Sequence, residues 1–241
     1  MTEKGRAYTV LTANTLAFTV CFAVWMMNGV LITFLVENRV YDFTKSEMGW
    51  LIGIPVLTGA LMRLPAGMLA DRFGGRPVFA ITMLLTAAGA YLDSYADGFA
   101  SFIGGGLLFG FAGATFAVGI AYSSVWFPKN QQGLALGIFG AGNAGAAITG
   151  MCAPWLLGVL TDGGTNLEGW RNLPRIYDAG LVVTTILFWL FTYPKKTEEP
   201  VTRTLFQRLE PLKKFRVWRF GLYYFLVFGG FVALAQWLIP Y

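Results

Sequence analysis

The chain has 241 residues, of which 56% are hydrophobic and only 13% are charged, with a net charge of +5. Soluble domains carry about 25% charged residues. Apolar runs of about 20 residues, each long enough to cross a bilayer core of about 30 Å, recur along this sequence. These properties exclude an ordinary soluble domain. They predict an all-α integral membrane protein, because helices satisfy their own backbone hydrogen bonds in lipid.

Seven membrane-spanning helices are predicted, and their approximate limits are 14–36, 48–70, 77–96, 99–123, 132–160, 175–193 and 220–241. With the N-terminus placed in the cytoplasm, 13 of the 18 Lys and Arg residues fall in cytoplasmic segments and four fall in external loops. Because basic residues favour cytoplasmic loops, this distribution predicts a multi-pass protein of the cell inner (plasma) membrane with a cytoplasmic N-terminus. The positive charge thus reports topology, and no nucleic-acid partner is predicted.

Arg63 is the one basic residue that the loops do not account for. It lies in the stretch TGALMRLPAGMLADRFGGR (58–76), and all thirteen acidic residues fall in predicted loops or at helix ends. The membrane interior is therefore predicted to hold one cation and no anion. Such a charge costs about 2.5–3.5 kcal/mol and usually marks a transport pathway. Arg63 either packs against helix-end carbonyls or binds an anion in a central aqueous cavity, and we favour the second reading.

Helices 4 and 5 carry small residues at four-residue spacing: Gly106 and Gly110, Gly133 and Gly137, and Ala141 and Gly145. This spacing predicts close helix packing in lipid. Within the same region, Asn143 lies in the stretch FGAGNAGAAITG (139–150). Its amide either hydrogen-bonds another helix or contacts a ligand. Because the flanking glycines leave the backbone accessible, we favour a ligand.

The stretch GMLADRFGGR (67–76) combines a helix end, charged residues and a double-glycine turn. One interpretation is a gate latch whose charged side chains change partners as two helix bundles rock. The other is a loop whose charges only set the topology. The candidate gating residues are Gly67, Asp71, Arg72, Gly74, Gly75 and Arg76.

Residues 194–219 differ from the rest of the chain, with three prolines, mixed charge and leucines at 205, 209 and 212. They predict a cytoplasmic connector, part of it amphipathic on the membrane surface. The connector joins an N-terminal six-helix bundle (1–193) to helix 7 (220–241), the start of a second bundle. The last helix has no polar flank, so further sequence is expected.

These motifs carry a resemblance to a known family. GMLADRFGGR, following the second helix, resembles the loop motif of the major facilitator superfamily. LTGALMRLPAG, GFAGATFAVGIAYSSVWFPKNQQG and GIFGAGNAG resemble the nitrate/nitrite porter family within it, and the last is similar to that family's nitrate signature. The resemblance implies twelve helices in two six-helix halves with one anion held between them, so this chain is expected to be an incomplete twelve-helix transporter.

The resemblance also implies substrate-binding residues. Arg63 matches the family's helix 2 arginine, Asn143 matches the signature asparagine, and the residues matching aromatic positions of the site are Phe22, Phe116, Tyr224 and Phe228. The family has a second arginine in helix 8 and a second signature in helix 11, which this chain lacks. The chain is then either a fragment or one half of a transporter whose C-terminal half is separately encoded.

The expected function is secondary active transport of nitrate or nitrite by alternating access. Nitrate/nitrite antiport is mildly favoured over nitrate/proton symport, because no membrane carboxylate or histidine is predicted. The alternatives are a carrier of another small anion such as formate, and a truncated, non-transporting assembly partner. With no histidine, no intramembrane carboxylate pair and no cysteine cluster, we predict neither an enzyme nor a cofactor or metal site.

Overall fold

The computed structural model describes residues 2–195 and 210–237, and within these ranges its regular structure is entirely helical. The described residues contain seven helices that are long and apolar enough to cross a membrane. We label them α1 (Glu3–Glu37), α2 (Lys45–Phe73), α3 (Gly75–Asp93), α4 (Phe99–Trp126), α5 (Gln132–Leu160), α6 (Leu167–Phe191) and α7 (Phe215–Trp237). All seven predicted spans are thus present. Most of the predicted connector, including Leu205 and Leu209, lies outside the described residues.

The helix limits differ from the predicted ones mainly at three N-terminal ends. Helix α1 begins at Glu3 because the Thr2 hydroxyl accepts a hydrogen bond from the Gly5 amide and caps the helix. Its first turns then bury Ala7 and Val10 against the bundle. Helices α6 and α7 begin earlier than predicted as well, at Leu167 and Phe215. Hydropathy alone underestimates the start of α1, because its polar first turn is held by the Thr2 cap and by packing.

Helix α1 is the centre of the bundle. It contacts α2, α4, α5, α6 and the last part of α7. Along its length it buries large side chains such as Phe18, Phe22 and Trp25. The positions of the other helices are therefore defined relative to α1.

Two polar groups of α1 hold α2 at its first internal proline. Pro55 has no N–H, so the Leu51 carbonyl one turn earlier lacks its helical donor. The Asn28 amide donates to that carbonyl at 2.8 Å, and the Trp25 indole N–H donates to the Pro55 carbonyl at 3.1 Å. The Leu51 carbonyl, which the proline leaves without a helical donor, is thus bound by α1.

Helices α4 and α5 each contain a short 3-10 segment near the middle, at Gly110–Ala114 and Ala141–Ala144. The glycines there allow close contact. A Cβ at Gly113 would lie 2.9 Å from the Gly59 Cα on α2, and a Cβ at Gly145 would overlap the Thr19 carbonyl on α1. The predicted small-residue packing is confirmed at Gly145.

The first turns of α5 show no such packing among the described residues. A Cβ at Gly133 or at Gly137 would meet nothing within 4 Å among the described residues. The spacing identifies a small-residue face, but it does not fix which way the helix is rotated.

Asn28 provides a test of the α1–α2 contact. Asn28→Leu should leave the Leu51 carbonyl buried and unpaired, and such a loss costs about 1–3 kcal/mol. We expect a lower thermal unfolding midpoint in detergent.

The matched control is Asn38→Leu, because Asn38 is exposed and donates only to Phe34 in its own helix. Its effect should stay within about 0.5 kcal/mol. Equal midpoints for the two variants would contradict the assigned role of Asn28.

Candidate anion site

Arg63 belongs to α2, and its side chain contacts neutral groups of α4 and α7. Its Nε donates to the Gly113 carbonyl at 3.1 Å, and its Nη1 donates to the Tyr224 hydroxyl at 3.2 Å. The guanidinium carbon also lies over the rings of Phe228, Phe116 and Tyr224, at 5.0, 5.6 and 6.0 Å from their centroids. In the described part of the chain, no carboxylate forms an ion pair with Arg63. The protein therefore positions this charge without neutralising it.

The local sequence explains why Arg63 reaches α4. Arg63 is four residues after Gly59, so both lie on one face of α2. Gly59 faces Gly113 in close backbone contact. The Gly113 carbonyl belongs to a 3-10 segment, in which the internal hydrogen bonds have poorer geometry than in an α-helix. It is thus both near and available to an outside donor.

The predicted aromatic residues form one connected cluster beside Arg63. Tyr224 and Phe228 stack at 4.9 Å between ring centroids, and Phe116 lies 5.9 Å from Phe228. Phe22 lies 6.4 Å from Phe228. Three of the four predicted aromatics, from α4 and α7, thus lie beside Arg63, and Phe22 of α1 joins the cluster through Phe228.

Asn143 is placed differently. Its amide nitrogen donates to the Gly140 carbonyl of its own helix at 2.8 Å, while its amide oxygen is buried without a partner among the described residues. Phe139, four residues earlier, lies 5.9 Å from Phe116. Asn143 thus lies on the same helix as a ring that borders the cluster, and it makes no hydrogen bond to Arg63 in the described structure.

A cavity of about 520 Å³ extends from Arg63 between α2 and α7. Along α7 it runs from Gly221 to Trp237, which is about 24 Å at the helical rise per residue. Its walls are mainly apolar, with polar groups at both ends. An anion that enters it meets a low-dielectric surface and one fixed positive charge.

Two residues near this cavity were not predicted. Phe231 stacks on Phe22 at 6.3 Å between ring centroids, with an interplanar angle of 11°. Gln236 is buried, and a Cβ at Gly29 on α1 would overlap its amide oxygen. Two features of the sequence could have identified them. Phe231 follows Phe228 by three residues, which places both on one face of the helix, and Gln236 is the single polar residue in the run FVALAQWL.

The predicted gating motif joins α2, α3 and α6. Gly74, with φ 92°, ends α2, and Gly75 packs against the Tyr122 ring. Arg76 donates to the Trp189 carbonyl and lies over its ring at 4.1 Å. Arg72 lies over Phe73 at 5.2 Å.

Asp71 and Gly67 are two further members of the motif, and both lie at the surface of the bundle. Asp71 is exposed, and a Cβ at Gly67 would meet nothing within 4 Å among the described residues. Within the motif, the Arg76 side chain connects α3 to α6.

Comparison with known proteins identifies the family. Residues 15–241 match the Major Facilitator Superfamily. The chain is 44% identical over 99% of its length to a probable nitrate/nitrite antiporter of Thermus thermophilus, covering 54% of that protein. It is 31% identical over 97% of its length to a nitrite extrusion protein of Bacillus subtilis, covering 56% of it. It is also 31% identical over 95% of its length to a probable nitrate transporter of Staphylococcus epidermidis, again covering 56%.

The chain spans about half the length of these curated relatives. The family match nevertheless covers almost all of the chain, and the similarity to these transporters extends across all seven helices. The chain therefore belongs to the Major Facilitator Superfamily.

Proposed function

We propose that this chain forms the first half of a secondary transporter that carries nitrate and nitrite across the plasma membrane. The observation that carries the proposal is the environment of Arg63. This cation is half-buried, and its described protein partners are one carbonyl, one phenol and three ring faces. Intramembrane charges of this kind usually serve a transported ion. The names of the relatives supply the substrate class.

The geometry suits a small planar anion. A guanidinium has five N–H donors in one plane, and two of its nitrogens already hold Gly113 and Tyr224. The remaining donors can bind two oxygens of one anion. Because the Tyr224 oxygen accepts from Arg63, the phenolic hydrogen is free to donate to the same anion. Phe116 and Phe228 then border the anion with apolar rings and exclude water.

Transport by alternating access requires this site to open to each side in turn. We assign the N-terminus to the cytoplasm from the distribution of basic residues. The motif around Asp71, Arg72 and Arg76 then lies at the cytoplasmic side. There the contact of Arg76 with Trp189 ties α3 to α6, and a change of this contact would accompany rocking of the bundle. A second bundle, in the same chain or separately encoded, completes the site.

We favour nitrate/nitrite antiport over proton symport. Among the described residues, Asp93 is the acidic side chain that is fully buried, and it lies at the end of α3 against Gly105. Gly105 is eight residues before Gly113, which is about 12 Å along α4. Asp93 is thus at a helix end as predicted but shielded from solvent, and it is separated from Arg63. Anion exchange requires no proton carrier at the site.

Arg63→Lys tests the anion site. Lysine keeps the charge but loses the planar donor fork and its contacts with both α4 and α7. We expect loss of nitrate uptake by the transporter, with normal membrane insertion. The matched control is Arg39→Lys, in an exposed loop residue, which should transport normally. Uptake by Arg63→Lys within about twofold of wild type would overturn the proposal, because it amounts to less than about 0.5 kcal/mol of transition-state binding.

Tyr224→Phe tests the phenolic donor. It removes one hydrogen bond to Arg63 and one predicted bond to the anion, while the stacked rings remain. The expected effect is about 1 kcal/mol, or about a fivefold increase in KM for nitrate. Tyr223→Phe is the neighbouring control, because Tyr223 is 53% exposed and contacts Phe220 instead. An equal KM for the two variants would exclude the donor role of Tyr224.

Asp93→Asn tests the coupling mode. If transport is nitrate/nitrite exchange, the variant should exchange the two anions at a rate within about twofold of wild type. Nitrate addition to vesicles should then cause no external alkalinisation with either protein. Alkalinisation by wild type that is lost in Asp93→Asn would instead establish proton symport through this residue.

A further inference from the structure

A second cavity lies on the opposite side of α1 from the anion site. It is a groove of about 680 Å³ between α1 and α6. Tyr8, Leu16 and Val20 line it from α1, and Thr184, Leu187 and Phe191 line it from α6. Three lining hydroxyls are already bonded within their helices, Thr9 to Gly5 at 3.1 Å, Thr19 to Thr15 at 2.9 Å and Thr184 to Gly180 at 2.7 Å. The walls therefore fit an apolar chain.

The length and exposure of the groove match the lipid phase. From Tyr8 to Val20 it follows α1 for about 18 Å, slightly more than half of a hydrocarbon core of about 30 Å. It is open along its side, since Leu16 is 60% exposed and Leu187 is 47% exposed. An acyl chain of the surrounding leaflet can thus enter it laterally and reach the middle of the bilayer.

The mouth of the groove is basic. Lys4 is four residues before Tyr8, so it lies on the same face of α1, directly beyond the groove. The Arg6 guanidinium lies 5.1 Å from the ring centroid of Tyr193, which follows α6, and it bridges the two helix ends. Nearby, Lys195 pairs with Glu3 at 2.9 Å. In the part of the chain that the structure describes, neither Lys4 nor Arg6 forms an ion pair.

We propose that the α1–α6 groove binds an anionic phospholipid. One acyl chain lies along the groove, and the headgroup phosphate contacts Lys4 and Arg6 at its mouth. Basic side chains at a membrane surface attract anionic lipids, and a zwitterionic lipid would gain less from them. The depth, the lateral opening and the basic rim at headgroup level favour a lipid over a second copy of the chain.

Another apolar groove shows why Lys4 and Arg6 matter for lipid binding. The groove between α3 and α6 has a volume of about 400 Å³ and is lined by Ala80, Leu84 and Trp189 among others. The basic residue near it, Arg76, already donates to the Trp189 carbonyl and lies over the Trp189 ring. That groove has an apolar wall without a free basic group, so it serves as an internal comparison.

The test uses the 241-residue chain purified in a neutral maltoside detergent and mixed with phosphatidylglycerol or phosphatidylcholine of the same acyl composition. Native mass spectrometry then counts the lipids retained. We expect wild type to retain phosphatidylglycerol at least about fivefold better. Lys4→Gln and Arg6→Gln should each weaken this retention about fivefold, as loss of one surface charge predicts. Leu16→Trp, which fills the groove, should abolish it.

Leu84→Trp is the matched control, because it adds the same ring to the α3–α6 groove and should leave lipid retention unchanged. Equal retention of the two lipids by wild type, or unchanged phosphatidylglycerol retention in Lys4→Gln and Arg6→Gln, would overturn the proposal. So would a wild-type dimer that Leu16→Trp dissociates without any lipid preference. The two charge variants lie on an exposed surface, so the proposal stays testable even if Leu16→Trp does not fold. No transport assay is involved, so this test is independent of the proposed function.

Discussion

The charge of Arg63 is the constraint on which the arrangement of the bundle depends. An uncompensated guanidinium in a bilayer is costly, and a carboxylate partner would remove that cost. It would also remove the attraction for an anion. The protein instead gives Arg63 one carbonyl, one hydroxyl and three ring faces. Each partner contributes on the order of 1 kcal/mol. Together they hold the side chain in place and leave its net charge uncompensated within the described part of the chain.

This arrangement requires α2 and α4 to approach closely, and the sequence provides for it at several points. Gly59 and Gly113 remove the side chains that would separate the two backbones. Asn28 and Trp25 bind the carbonyls around Pro55 and thereby fix α2 on α1. The position of Arg63 thus follows from contacts made one to three turns away. A substitution at these supporting residues would displace the guanidinium without touching the anion.

The sequence was sufficient to predict the seven helices and the isolated charge of Arg63, because hydropathy and charge placement act along the chain. Motif resemblance also selected Phe22, Phe116, Tyr224 and Phe228. The rings of the last three lie over the Arg63 guanidinium, and Phe22 contacts Phe228. The rotation of α5 was not predictable, because a four-residue spacing does not say which neighbour the face meets. Among the described residues, Gly133 and Gly137 face open space. The complete burial of Asp93 was hidden as well, since it depends on Gly105 in the next helix.

The two ends of helix α7 differ in how deeply they are buried in the bundle. Its first part, Phe215–Tyr224, has no buried residue, whereas Val232 and Gln236 in its last part are buried. The π-helical segment Phe225–Gly229 lies between the two parts, and such segments are frequent at functional sites. Tyr224 is the last residue before this segment. A change in the angle of α7 at the π segment would therefore move Tyr224 relative to Arg63 while the contact of Gln236 with α1 persists. Because Tyr224 and Arg63 are joined by a hydrogen bond, an anion bound to both would oppose that movement, and the geometry of α7 would then depend on whether the site is occupied.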